Sequence, residues 1–130
     1  MSYKFNKLYD YPRSMRTLVG GKRHYDIREE KLPSVTTILS ACQSDEKRAS
    51  LEAWRQRLGP KTADIARDLA AERGTAMHRF LEAYIDGSGH KDLTPLGQQA
   101  EKMAMKIVES GLGDLEEVWG QEVTLYYPGL

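Results

Sequence analysis

The pattern that most restricts this chain lies between Thr62 and Asp86. There Ile65, Leu69, Met77, Leu81 and Tyr84 recur at helical spacing with Phe80 and Ile85 beside them, which predicts one long helix with an apolar face in the core. Thr62 is its candidate cap, and Gly74 is the point at which it can break or bend. Within it, the segment RGTAMHRFLEAY sets His78 four residues after Gly74 and four before Glu82.

The rest of the chain is punctuated around that helix. MRTLVGGKRHYDI reads as two β-prone runs joined at Gly20-Gly21, a hairpin signal, and EEKLP breaks the pattern at Pro33. Ser34 then caps a short helix over about 35–42. Ser44 or Asp45 caps another over about 45–58, in which Leu51, Trp54 and Leu58 repeat at 3, 4 spacing before Gly59-Pro60 ends it. The long helix is assigned to about 62–86. DGSGHKD is a loop by composition. Thr94-Pro95 opens a helix over about 95–110 with Leu96, Ala100, Met103 and Ile107 on one face. EEVWGQEVTLYY reads as a C-terminal strand over about 116–127, bulged at Gly120 and ending at Pro128. Hairpin, helices and a final strand make an α+β layout. A lone final strand cannot bury two faces, so its partner is expected in the N-terminal hairpin, in residues beyond Leu130 or in a second chain.

Length and composition exclude several classes. A chain of 130 residues predicts a single domain over 1–130 with a real core. Hydrophobic residues make up 40% and charged residues 29%, and no apolar run nears the roughly 18 residues of a membrane span, so a soluble protein is expected. MSYKFNKLYDYPR has no apolar run behind its charges and does not read as a secretory signal. Cys42 is the single cysteine, which excludes an intrachain disulfide and fits a cytoplasmic location. The net charge of zero divides unevenly. Residues 1–67 hold 14 Lys/Arg against 8 Asp/Glu, a net +6, and residues 68–130 hold 5 against 11, a net −6. That polarity suits a basic face for a polyanion and carboxylates near a metal, unless folding mixes the halves.

Three groups of residues could carry chemistry. His78 and Glu82 share one helical stripe and could share a metal ion or a hydrogen bond; the competing reading is a boundary histidine beside a solvated glutamate. His24 and His90 have no ligand-like spacing. Ser34, Thr36 and Thr37 crowd the start of a helix where a phosphate could dock, or where they simply satisfy local backbone groups. Trp54, Arg55 and Arg57 combine a stacking surface with cations, as single-stranded nucleic acid requires, although a tryptophan at 3, 4 spacing equally suits a core. Glu29-Glu30-Lys31 and Asp45-Glu46-Lys47 match an acid-x-Lys pattern but fall in a loop and at a helix start, not on a rigid strand, and read as chance matches.

Taken in order, LPSVTTIL, LEAWRQRL, RGTAMHRFLE and WGQEVTLYYPGL resemble the N-terminal part of the RecB-like branch of the PD-(D/E)XK nuclease superfamily. More closely, they resemble the mitochondrial genome maintenance exonucleases and related phage exonucleases, from about Leu32 to Leu130. The resemblance implies a metal-dependent exonuclease acting on DNA, with a preference for single strands and free ends and with Mg²⁺ or Mn²⁺ as cofactor. Gly74 and His78 match the family's G-x-x-x-H helix at the metal site. Pro33, Ser34 and Thr36 match the turn beside bound DNA, and Gln121-Glu122-Val123 occupies the strand leading into the active site. It implies His78 as metal residue, His78, Glu82 and Glu122 as catalytic candidates, and Ser34, Thr36, Thr37, Trp54, Arg55 and Arg73 as DNA-binding candidates. The family's metal-binding aspartate and acid-x-Lys strand have no counterpart in these 130 residues. The chain is therefore expected to be an incomplete PD-(D/E)XK core, part of a nuclease completed by a further region or a second chain and inactive alone. A phage origin would place it in the host cytoplasm. The alternative is a non-catalytic DNA-binding or protein-interaction module that keeps the helical half of the fold.

Overall fold

The β-prone runs on either side of Gly20-Gly21 fold back on one another. The computed structural model describes residues 3–89 and 92–129. In it β1 (Ser14–Val19) pairs antiparallel with β2 (Lys22–Ile27), and Val19 faces Lys22 across the turn. Both turn glycines hold positive φ, 59° and 77°, which a two-residue hairpin needs and side chains resist. The EEKLP segment is not a break but a third strand. β3 (Glu30–Pro33) pairs antiparallel with β2, Ile27 opposite Glu30, and lies at the sheet edge where proline is tolerated. Ile27 and Leu32 are the buried apolar residues of this sheet.

Ser34 ends the edge strand and starts α1 (Val35–Ala41). Its Oγ accepts from the Thr37 N–H at 3.1 Å, while its own N–H and the Thr37 hydroxyl both donate to the Arg23 carbonyl, at 3.1 and 2.9 Å. The helix start is thereby tied to β2. α2 (Asp45–Leu58) follows, capped by the Ser44 hydroxyl, which accepts from the Lys47 N–H at 3.2 Å. No residue of α2 is buried, and its Leu51-Trp54-Leu58 stripe is exposed, so it contributes no core.

α3 (Pro60–Asp86) is unbroken through Gly74 and spans 27 residues, about 40 Å at 1.5 Å per residue. Its cap is Gly59 with Pro60 in the first position, not Thr62. α4 (Pro95–Ser110) begins as expected, with the Thr94 Oγ1 accepting from the Gly97 N–H at 3.0 Å. The two helices pack on one another, and the residues they bury are small. Ala63 of α3 and Gly97, Ala100 and Ala104 of α4 are buried. The long apolar stripe of α3 is not the core face that periodicity predicts: Ile65 and Leu69 are 58% and 52% exposed, while Met77, Phe80 and Leu81 are half-buried. Helical drift explains the difference. Each four-residue step overshoots the 3.6-residue turn by about 40°, which puts Ile65 roughly 160° around α3 from Leu81, whereas the buried Ala63 lies on the Leu81 side.

The strand expected over 116–127 does not form among the described residues. After a 3-10 turn at Leu112–Asp114, the segment holds a single parallel bridge, Val118 to Phe5, with the Val118 N–H donating to the Lys4 carbonyl at 2.7 Å and the Asn6 N–H to the Val118 carbonyl at 2.9 Å. Gly120 lacks a side chain to pack, and Glu122 has a φ of +52°, so an extended ladder cannot run through the segment. The bridge is reinforced by Glu117, whose carboxylate accepts from the Asn6 amide at 3.0 Å and the Trp119 indole N–H at 2.7 Å. These two hydrogen bonds, Asn6 first, hold its carboxyl below the ordinary range.

Residues 3–8 with 58–122 form one compact unit, and residues 9–57 with 123–129 the other. The architecture is mixed α+β: among the described residues, a three-stranded antiparallel sheet and four helices. No described helix is long and apolar enough to cross a membrane. His90 and Lys91 of the loop between α3 and α4 lie outside the described residues.

Candidate functional site

Helical geometry sets Thr75, His78, Arg79 and Glu82 on one face of α3, at i, i+3, i+4 and i+7. With Gly74 and Glu122 they line an open depression of about 440 Å³. A Cβ at Gly74 would meet nothing within 4 Å, so packing does not demand glycine there. Glycine inside a helix costs roughly 0.5–1 kcal/mol against alanine.

Glu122 reaches this face from the irregular segment after Trp119. Its Oε1 stands 3.9 Å from His78 Nδ1, an ion pair when the imidazole is protonated but too long for a hydrogen bond. Both side chains are more than half exposed. The approach is organised by Gln121, whose amide donates to the Glu82 carbonyl at 3.3 Å and to the Asp86 carboxylate. Once Gln121 is fastened to the end of α3, the positive φ of Glu122 turns its side chain back toward His78. A glutamate in this conformation carries about 1 kcal/mol or more of strain.

The catalytic candidates His78, Glu82 and Glu122 therefore share one depression. The DNA-binding candidates are divided between the two units. Ser34, Thr36 and Thr37 meet as a hydroxyl cluster, with Ser34 Oγ 3.1 Å from Thr36 Oγ1 and 2.8 Å from Thr37 Oγ1. Ser34 is 8% exposed and serves as the cap of α1. Trp54 and Arg55 stand on α2, outside that cluster, and Arg55 is half-buried with its own partner. Arg73, on α3 in the other unit, has its Nε buried without a hydrogen-bond partner.

Comparison with protein-family models, curated proteins and solved structures finds no match.

The two acid-x-Lys segments supply no second site. Glu30-Lys31 lies on β3, not in a loop, yet the Glu30 carboxylate accepts from the Gly129 N–H and Lys31 pairs with Asp26 at 3.8 Å. Asp45-Glu46-Lys47 forms the first turn of α2. The His24 ring nitrogen contacts the Lys22 carbonyl, a local bond within β2.

Sequence reasoning missed Thr75 and Arg79, and met Gln121 only as part of the Gln121-Glu122-Val123 strand match, not as a positioning residue. The signal for the first two was present, since they share the i, i+3, i+4 stripe of His78. Gln121 carried none, because its role depends on a chain reversal. Among the described residues no three His, Cys, Asp or Glu side chains are grouped to hold a metal ion. Mg²⁺ and Mn²⁺ favour about six oxygen-rich ligands. His78 and Glu122, with Glu82 on the same wall, fall short of that set, and no step through a metal is assigned to these residues.

Proposed function

We propose that the depression on α3 is one wall of a DNA exonuclease site of the RecB-like kind, with His78 and Glu122 as its principal residues. The observation that carries this reading is their convergence. The resemblance singles out two residues far apart in sequence, and their side chains approach to 3.9 Å above a helix face that also bears Glu82. A strained backbone at Glu122 supports it further, because strain of this kind persists where a side chain must be aimed.

In this reading Arg79 attracts the phosphate of a DNA strand entering the open depression, and Thr75 offers a hydroxyl to it. His78 and Glu122 face the scissile end. In the family a divalent cation supplies Lewis-acid activation of the phosphate and of water. Here the donor set is partial, and the remaining ligands would come from outside these residues.

The test has two arms. Mn²⁺ titration followed by nuclear magnetic resonance should broaden the amide and side-chain signals of His78, Glu82 and Glu122 selectively, and His78→Ala should abolish that pattern. Degradation of end-labelled single-stranded DNA with Mn²⁺, beside an EDTA control and the same variant, reads turnover. Broadening without cleavage is the expected result for a partial donor set. Uniform or absent broadening together with absent cleavage removes the site. Salt-sensitive DNA binding without either signal leaves a non-catalytic DNA-binding module.

A further inference from the structure

A cationic concavity lies in the unit that holds the sheet. Lys22 and Arg23 at the start of β2, Thr36, Thr37, Ser40 and Ala41 of α1, and Arg48 of α2 line a depression of about 310 Å³. It carries three cations and no carboxylate. Among the described residues no Asp or Glu pairs with Lys22, Arg23 or Arg48, although the chain as a whole is balanced at 19 basic and 19 acidic residues.

One of these donors, Arg48, is held in place by the fold. Arg48 Nη2 donates to the Ser40 and Ala41 carbonyls, at 3.2 and 3.5 Å, which fixes the guanidinium beside the end of α1 and leaves its other N–H groups uncommitted. The Thr37 hydroxyl is occupied by the Arg23 carbonyl, so it braces α1 against β2 rather than serving a ligand. The hydroxyls that line the depression without such a role are Thr36, which contacts only Ser34 Oγ, and Ser40. Positive charge, donors from three separate elements and the lack of a carboxylate in the lining coincide here. A carboxylate offers two oxygens and one charge. A phosphate group offers more acceptor oxygens and up to two charges, which better matches guanidinium, ammonium and hydroxyl donors set around a concavity.

We propose that Lys22, Arg23 and Arg48, with Thr36 and Ser40, bind a phosphate group. The site stands on this pocket alone and does not depend on the nuclease reading. Its phosphate can belong to a free small molecule or to the end or backbone of a nucleic-acid strand.

The experiment is a titration of the ¹⁵N-labelled 130-residue chain with sodium phosphate, held at constant ionic strength with sodium chloride. Saturating shifts confined to residues around Lys22, Arg23, Thr36–Ala41 and Arg48 are expected. Lys22→Gln and Arg23→Gln should each weaken binding about 3- to 5-fold, and the double variant about 10-fold or more, as expected for exposed charge-assisted contacts. Arg48→Gln also removes a helix-end contact, so the Lys22 and Arg23 variants keep the test decisive if it unfolds. A parallel titration with oligothymidylate, with and without a 5′-phosphate, identifies the source. Tighter binding of the phosphorylated strand assigns a strand end, equal tightening by both assigns the backbone, and binding of inorganic phosphate alone assigns a small ligand. Linear, non-saturating shifts, shifts reproduced by chloride, or affinity unchanged in the double variant would overturn the proposal.

Discussion

Replacing Ser34 by alanine separates a structural role from a ligand-binding one. The Ser34 hydroxyl is almost wholly buried, accepts from the Thr37 N–H at 3.1 Å and touches the hydroxyls of Thr36 and Thr37. Removing an N-cap oxygen costs typically about 1 kcal/mol, within a range of roughly 0.5–2. Thr37 keeps its bond to the Arg23 carbonyl, so the tie between α1 and β2 weakens without breaking. We therefore expect a loss of about 1–2 kcal/mol, a factor of roughly 5–30 in the folding equilibrium. Urea unfolding would report the total, and hydrogen exchange at the Thr37 and Ile38 amides would locate it. Ser34→Thr keeps the acceptor and should recover more than half of the loss. A Ser34→Ala protein within about 0.3 kcal/mol of the parent, with unchanged exchange at Thr37, would refute the cap as the reason serine stands there.

Three further outcomes follow from particular contacts. Gly97→Ala would put a Cβ 2.2 Å from Asp92 Cγ, and Asp92 Oδ1 is engaged by the Thr94 N–H and hydroxyl, so the usual helix gain of about 1 kcal/mol should become a loss of about 1–3 in thermal unfolding; a stabilised variant would remove Asp92 from that position. Glu122→Gly should hold or raise stability by up to about 1 kcal/mol while abolishing Mn²⁺ broadening at His78, because it releases the positive φ and deletes the carboxylate together; a clear destabilisation would mean that the strain is absent. Glu117 has a lowered carboxyl in the folded state, so its contribution is fully present above the ordinary carboxylate value and is lost as pH falls through the lowered one. Trp119 fluorescence should then change in that acid window, and Glu117→Gln should remove the change; an identical titration in the variant would assign it elsewhere.

The helices were legible because their signals are local. Ser34, Ser44, Thr94 and Pro95 mark helix starts, and paired glycines mark the hairpin, all within a few residues of chain. β3 escaped because Pro33 was read as a break, when an edge strand can end on proline. The C-terminal strand was misread for the opposite reason. Alternation in VTLYY signals what a segment could do beside a partner, and the positive φ of Glu122, which no residue preference announces, sends the chain elsewhere. Site residues followed the same division. Helical spacing alone sets His78 and Glu82 on one face, whereas the approach of Glu122 depends on Gln121 meeting the end of α3, a contact between distant parts of the chain.

Burial along α3 and α4 reverses the usual map of mutational tolerance. In most small proteins the large apolar residues are the fragile positions and the alanines are forgiving. Here Ala63, Ala100 and Ala104 are at most 1% exposed, while Leu69 and Ile65 are more than half exposed. Trimming an exposed leucine such as Leu69 should stay within about 0.5 kcal/mol, whereas enlarging Ala104 to leucine forces the helices apart at roughly 1–3 kcal/mol. A library randomised along α3 and α4 would accordingly conserve methyl groups and let isopropyl groups drift.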